Sequence, residues 1–179
     1  MTNDLRYPIG EFVPPNEVTQ TERERWLGEV AELPENLRRA LEGLSDAQLD
    51  TPYRPGGWTV RQVAHHLPDS HLNSYTRFKL ALTEENPIIR PYDETLWAEL
   101  ADSSAPVEVS LALLDALHAR WVILLESLSE HDWQRTFTHP ASGQILTLEQ
   151  TLAHYAWHGA HHVAHITALR EREGWQEKR

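Results

Sequence analysis

Cysteine is absent from the 179 residues. That excludes a disulfide framework, a thiolate zinc site and a protein thiol nucleophile. Long apolar runs are missing too, and none approaches the roughly 20 residues of a membrane span, so no membrane partner is expected. Positive charge is scarce: 16 Lys and Arg stand against 27 Asp and Glu, a net charge of −11. Nucleic acid is thereby excluded as a partner, because its phosphates require a basic footprint. The opening Met1-Thr2-Asn3-Asp4-Leu5-Arg6-Tyr7-Pro8 has neither the charged nor the apolar region of a signal peptide, and a cytoplasmic location is expected. Convincing strand pairs, internal repeats and low-complexity segments are also lacking. What the chain does have is 11 histidines and seven tryptophans, the latter suited to a core or pocket with aromatic walls.

A chain of this length buries a real core unaided, and a single domain over residues 1–179 is expected. Residues 1–16 hold Tyr7-Pro8-Ile9-Gly10 and Phe12-Val13-Pro14-Pro15, an irregular arm apolar enough to pack on the body or on a partner subunit. A first helix from about Asn16 carries Trp26, Val30 and Leu33. Pro34 kinks or interrupts it, and Leu37, Leu41 and Leu44 continue its stripe. Pro52 to Gly57 is a loop. Thr59-Val60-Arg61-Gln62 is a capping box that opens a second helix to about Leu82. Residues 83–104 form a long connection, a length that itself points to function. A third helix begins near Pro106 and carries Val109, Leu113, Leu117, Leu124 and Leu128. Residues 131–146 return the chain to a fourth helix, which Thr147-Leu148-Glu149-Gln150 caps and which runs to about Arg170. The expected fold is all-α: a four-helix bundle with an irregular N-terminal arm and a long connection between helices two and three.

Five histidines crowd one side of the fourth helix: His154, His158, His161, His162 and His165. At about 100° per residue, its apolar residues centre near 80° from His158. His158 and His162 are then the pair nearest the core, while His154, His161 and His165 fall progressively towards the rim. Two imidazoles one turn apart can chelate one ion. On the second helix His66 sits at the edge of the core stripe and His65 lies in solvent, about 100° away. His66, His158 and His162 therefore make the economical triad, with one coordination position open, as a catalytic rather than a structural site requires. One divalent ion per subunit, zinc or nickel, suits three neutral imidazoles. Asp69 and His165, each one turn from a ligand, are catalytic candidates. Asn73 and Arg77 lie within about 20° of His66, and are substrate-facing candidates, Arg77 for an anionic group. Pro68 is expected to kink the helix beside His66.

These residues carry a resemblance. Gly57-Trp58-Thr59-Val60-Arg61-Gln62-Val63-Ala64-His65-His66-Leu67 followed by His158-x-x-His161-His162 is similar to the DinB/YfiT superfamily of four-helix metalloproteins. Tyr7-Pro8-Ile9-Gly10, Pro91-Tyr92-Asp93-Glu94 and His165-Ile166 resemble its YfiT branch. The resemblance implies one metal on His66, His158 and His162, a homodimer, and activity as a metal-dependent hydrolase or a thiol S-transferase with a bacillithiol-like cosubstrate. Three functions compete: transfer of a small thiol to a small-molecule electrophile, favoured here; hydrolysis by metal-activated water; and a metal-binding module without turnover.

Overall fold

The computed structural model describes residues 4–175. In chain order its elements are α1 (Gln20–Leu41), the single-turn α2 (Asp46–Leu49), α3 (Val60–Thr83), α4 (Glu94–Trp97), a 3-10 turn at Ala101–Ser104, α5 (Val107–Glu126), α6 (Glu130–Trp133), the strands β1 (Thr136–His139) and β2 (Gln144–Thr147), and α7 (Leu148–Arg172). The helix starts are written in the sequence. Thr19 with Glu22, Thr59 with Gln62 and Thr147 with Gln150 form reciprocal capping boxes at α1, α3 and α7. Helix ends are closed by two arginines, Arg170 buried and Arg135 half-buried. Arg170 donates from Nη1 to the carbonyls of Ala40 and Glu42 at the end of α1, and Arg135 does the same for Ala81 and Glu84 at the end of α3.

Helix α1 packs on α5 and α7, and α3 packs on the same two. The order around the bundle is therefore α1, α5, α3, α7, and the α1–α3 and α5–α7 connections each cross a diagonal. One core cluster gathers Trp26, Val30, Phe78, Trp121, Phe137 and Leu152; the other gathers Leu37, Val63, Leu67, Leu114, Ile166 and Leu169. Among the described residues, no helix is long and apolar enough to cross a membrane.

Several local expectations are corrected. Helix α1 starts at Gln20, not Asn16, because the Thr19–Glu22 box lies there, and it ends before Leu44. Helix α1 is not interrupted at Pro34, whereas α3 runs through Pro68 to Thr83 as expected. The loop after α1 contains α2, which Arg61 pins to α3 through ion pairs with Asp50 and Asp46. Residues 131–146 hold an antiparallel hairpin, with Phe137 opposite Leu146 and Gly143 at positive φ in its turn. The buried face of α5 is Leu111, Leu114, Leu117, His118, Trp121 and Leu125, whereas Val109 and Leu113 are exposed. That helix is apolar almost all round, so spacing alone could not fix its phase.

Candidate metal centre

Helices α3 and α7 are neighbours, and their contact brings His66 to His158 and His162. One ligand atom from each of the three lies within 4.8 Å of the other two, and no fourth His, Asp or Glu joins the group among the described residues. His66 Nε2 and His158 Nε2 stand 3.3 Å apart. Ligand nitrogens about 2.0–2.1 Å from a tetrahedral ion sit roughly 3.3–3.4 Å from each other, so this edge already has the required length. All three imidazoles are held neutral. Burial brings His66 down to about 4, and burial together with neighbouring imidazoles holds His158 and His162 well below the ordinary histidine value. Neutral nitrogens facing one another with no carboxylate between them fit a cation.

Local sequence explains the walls. The Pro55-Gly56-Gly57 loop turns tightly: Gly56 has φ of +68°, and a Cβ on Gly57 would meet Arg54 Cγ at 2.7 Å. The loop delivers Trp58, which lies against His66 and His162 with ring centroids 4.7 and 6.3 Å away. A cavity of about 550 Å³ opens over the three histidines. Its other walls include Arg6 and Tyr7 of the arm, Tyr53, Arg54, Glu94 and His165.

The arm explains a correction. His161 and His165, placed towards the rim by helical angle, are buried. The arm lies over them: Tyr7 stands 5.9 Å from His161, Phe12 packs edge-on to His154, and the Arg6 carbonyl accepts a 3.0 Å hydrogen bond from His165 Nε2. His165 also stacks on Tyr53 at 3.9 Å. With Nε2 donating, its Nδ1 carries a lone pair, and that atom has no partner among the described residues. Burial lowers its proton affinity, which the Arg6 carbonyl partly restores.

His65 is likewise buried rather than in solvent. Its Nε2 donates to the Ala105 carbonyl and its Nδ1 accepts from the Ser110 hydroxyl, docking α3 on the start of α5. Asp69, raised to about 6 by burial and then by Asp102, does not line the cavity over the trio. The Asn73 amide donates to the Asp69 carbonyl of its own helix. Arg77 reaches the Tyr155 hydroxyl at 3.5 Å and lines a neighbouring cavity of about 600 Å³ with Phe12, Phe137 and His139; His154 is common to both cavities.

Two buried histidines were missed, His71 of α3 and His118 of α5. The signal was available. His71 falls about 40° from the centre of the α3 core stripe, and His118 continues the Leu111, Leu114 series by one turn. Glu94, within the long connection, was also left without a role and is the carboxylate of the cavity wall.

Comparison with known proteins follows the same lines. A model of the DinB superfamily matches residues 23–166. A protein of Bacillus mycoides strain KBAB4 named "Putative metal-dependent hydrolase" is 58% identical over 96% of this chain and 99% of its own. A Bacillus cereus strain B4264 protein of the same description is 57% identical over 97% and 99%. Among solved structures, YfiT from Bacillus subtilis, described as a probable metal-dependent hydrolase with an unusual four-helix bundle topology, superposes with a TM-score of 0.94 at 54% identity, covering 96% of this chain and 99% of its own. The mycothiol-dependent maleylpyruvate isomerase shares the fold, with a TM-score of 0.60 at 19% identity over 78% of this chain and 60% of its own.

Proposed function

The chain belongs to the DinB superfamily, and from that premise we propose that it is a metal-dependent enzyme in which His66, His158 and His162 hold one divalent ion and the cavity above them holds the substrate. The observation that carries this reading is the trio itself: three neutral imidazoles, His66 and His162 buried and His158 half-buried, converge with no fourth His, Asp or Glu to close the site among the described residues. Zinc or nickel suits that donor set. Such an ion supplies Lewis acidity, lowering the pKa of a water or thiol nucleophile and polarising an acyl oxygen. The rest falls to the protein. His165 lines the cavity, neutral and with its tautomer fixed by the Arg6 carbonyl, and its bare but buried Nδ1 is the lone pair that this proposal assigns to the nucleophile's proton. Trp58 and Tyr53 wall the site against water, and Arg54 on the same wall attracts an anionic substrate group, whereas the Arg6 guanidinium is paired with Asp4.

Hydrolysis is the first reading, because relatives 57–58% identical over nearly their whole length carry that description. The second is transfer of a low-molecular-weight, bacillithiol-like thiol to an electrophile. It is favoured by the cavity of about 550 Å³, which has room and cationic edges for a cosubstrate larger than water. A chain without cysteine needs its thiol brought in. Asp69 and Asn73 keep, in this proposal, only a supporting place beside His66, and Arg77 offers a second anion contact from the adjoining cavity. The apolar arm and the exposed Val109 and Leu113 of α5 suit a homodimer.

The deciding experiment is turnover by the zinc- or nickel-loaded protein with a simple aryl ester, and with a panel of small thiols plus a generic electrophile. Ester hydrolysis without thiol that disappears in His162→Ala establishes the first reading. Activity that appears only with added thiol establishes the second. Retention of either activity after full metal removal overturns both.

A further inference from the structure

His71 and His118 have no place in the chemistry above, yet they connect to it in one line. His118 Nδ1 lies 2.6 Å from the carbonyl oxygen of Val30 in α1. His118 Nε2 is 3.0 Å from His71 Nδ1, and His71 Nε2 is 3.3 Å from His158 Nδ1. The series touches all four long helices.

The direction of every bond follows from its far end. In a helix the Val30 carbonyl normally accepts from the amide four residues on, but that residue is Pro34, which has no N–H. The oxygen is therefore left for His118. A carbonyl has lone pairs only, so His118 Nδ1 carries hydrogen and donates. A neutral imidazole has one N–H, so His118 Nε2 accepts, His71 Nδ1 donates, His71 Nε2 accepts and His158 Nδ1 donates. The one nitrogen of His158 left bare is Nε2, the atom that faces His66 Nε2 at 3.3 Å.

We propose that His71 and His118 are positioning residues that lock His158 in the Nδ1–H tautomer, so that its Nε2 lone pair is presented to the ion. Pro34 takes part by freeing the carbonyl that anchors the series. The line orients and does not conduct: its terminal carbonyl cannot supply a proton, so none can be passed along it to solvent. The role resembles that of the outer hydrogen bonds that aim metal-bound histidines in general, whose loss weakens metal binding about 10- to 100-fold. The proposal rests on the reading that the trio binds a divalent ion.

Two measurements test it. The first uses metal-free protein labelled with 15N in histidine, whose long-range proton–nitrogen spectrum at neutral pH reports each tautomer. His158, His71 and His118 are expected to carry hydrogen on Nδ1, and a His158 with hydrogen on Nε2 overturns the proposal. The second compares zinc affinity, by competition with a chromophoric chelator, in the wild type, His71→Gln and His71→Leu. The glutamine oxygen can still accept from His158 Nδ1, and leucine cannot. His71→Gln is expected to bind within about threefold of the wild type, and His71→Leu to lose about 10- to 100-fold. Circular dichroism and melting of the metal-free variants verify that both are folded. Equal losses in the two variants would show a merely structural role, and no loss in His71→Leu would show no role; either result overturns the proposal. A wild type that takes up no zinc sinks the metal reading along with it, a result distinct from tight binding by His71→Leu, which sinks the proposal alone.

Discussion

Acid should loosen the metal-free protein through His118, and the effect can be calculated. This ring is 1% exposed, and burial lowers its pKa from 6.5 to about 4 against the opposing pull of the Val30 carbonyl. Between those two values the unfolded chain holds a proton that the native state refuses. Stability therefore rises with pH across that window and is lost as pH falls below about 6.5. At 1.36 kcal/mol per pKa unit, moving from pH 7 to pH 5 costs about 2 kcal/mol through this one group. His118→Gln removes the titration while keeping a side chain that can donate to the same carbonyl. Urea unfolding in the presence of a chelator at pH 7, 6 and 5 gives the two stability profiles. The other buried histidines are common to both proteins and cancel to first order. The wild type should lose about 2 kcal/mol more than His118→Gln between pH 7 and pH 5. Parallel profiles would refute the assignment of His118 as a buried neutral imidazole.

Other outcomes follow from the same structure. Zinc at 100 times its dissociation constant should stabilise the fold by about 2.7 kcal/mol, and chelation should lower the melting temperature while leaving helical circular dichroism intact; a random-coil spectrum would contradict the two core clusters. Arg77→Ala should raise KM for an anionic substrate or cosubstrate with little change in kcat, since the guanidinium lies in the adjoining cavity and away from the trio; an unchanged KM removes it from the binding surface. Light scattering at micromolar concentration should give a dimer mass, and a monomer mass would count against the exposed apolar residues of α5 as an interface.

Much of the frame was legible because it is written in short-range chemistry. The Thr59–Gln62 and Thr147–Gln150 boxes and the i,i+4 apolar series locate α3 and α7, and these two helices bring the trio together. The helical wheel fails where burial comes from somewhere other than the bundle axis. His65 turns away from the α3 stripe but is covered by Ala105 and Ser110 at the start of α5. His161 and His165 turn towards the rim but are roofed by the arm, whose path no periodicity announces. The hairpin escaped notice because its strands have four residues each and Pro140 to Gly143 reads as an ordinary loop. Pro34 shows the opposite case. Read as a kink or an interruption, it lies inside a continuous α1 and leaves the Val30 carbonyl without its helical partner, for which His118 on another helix provides the hydrogen.

The central claim, that three histidines from two helices hold one ion, is tested most directly by metal stoichiometry. Metal-free wild type and the His66→Ala, His158→Ala, His162→Ala and His65→Ala variants are loaded with zinc, desalted and analysed for metal. The wild type and His65→Ala should carry one equivalent per chain, and each of the other three should carry close to none. One full equivalent in His158→Ala would contradict the site.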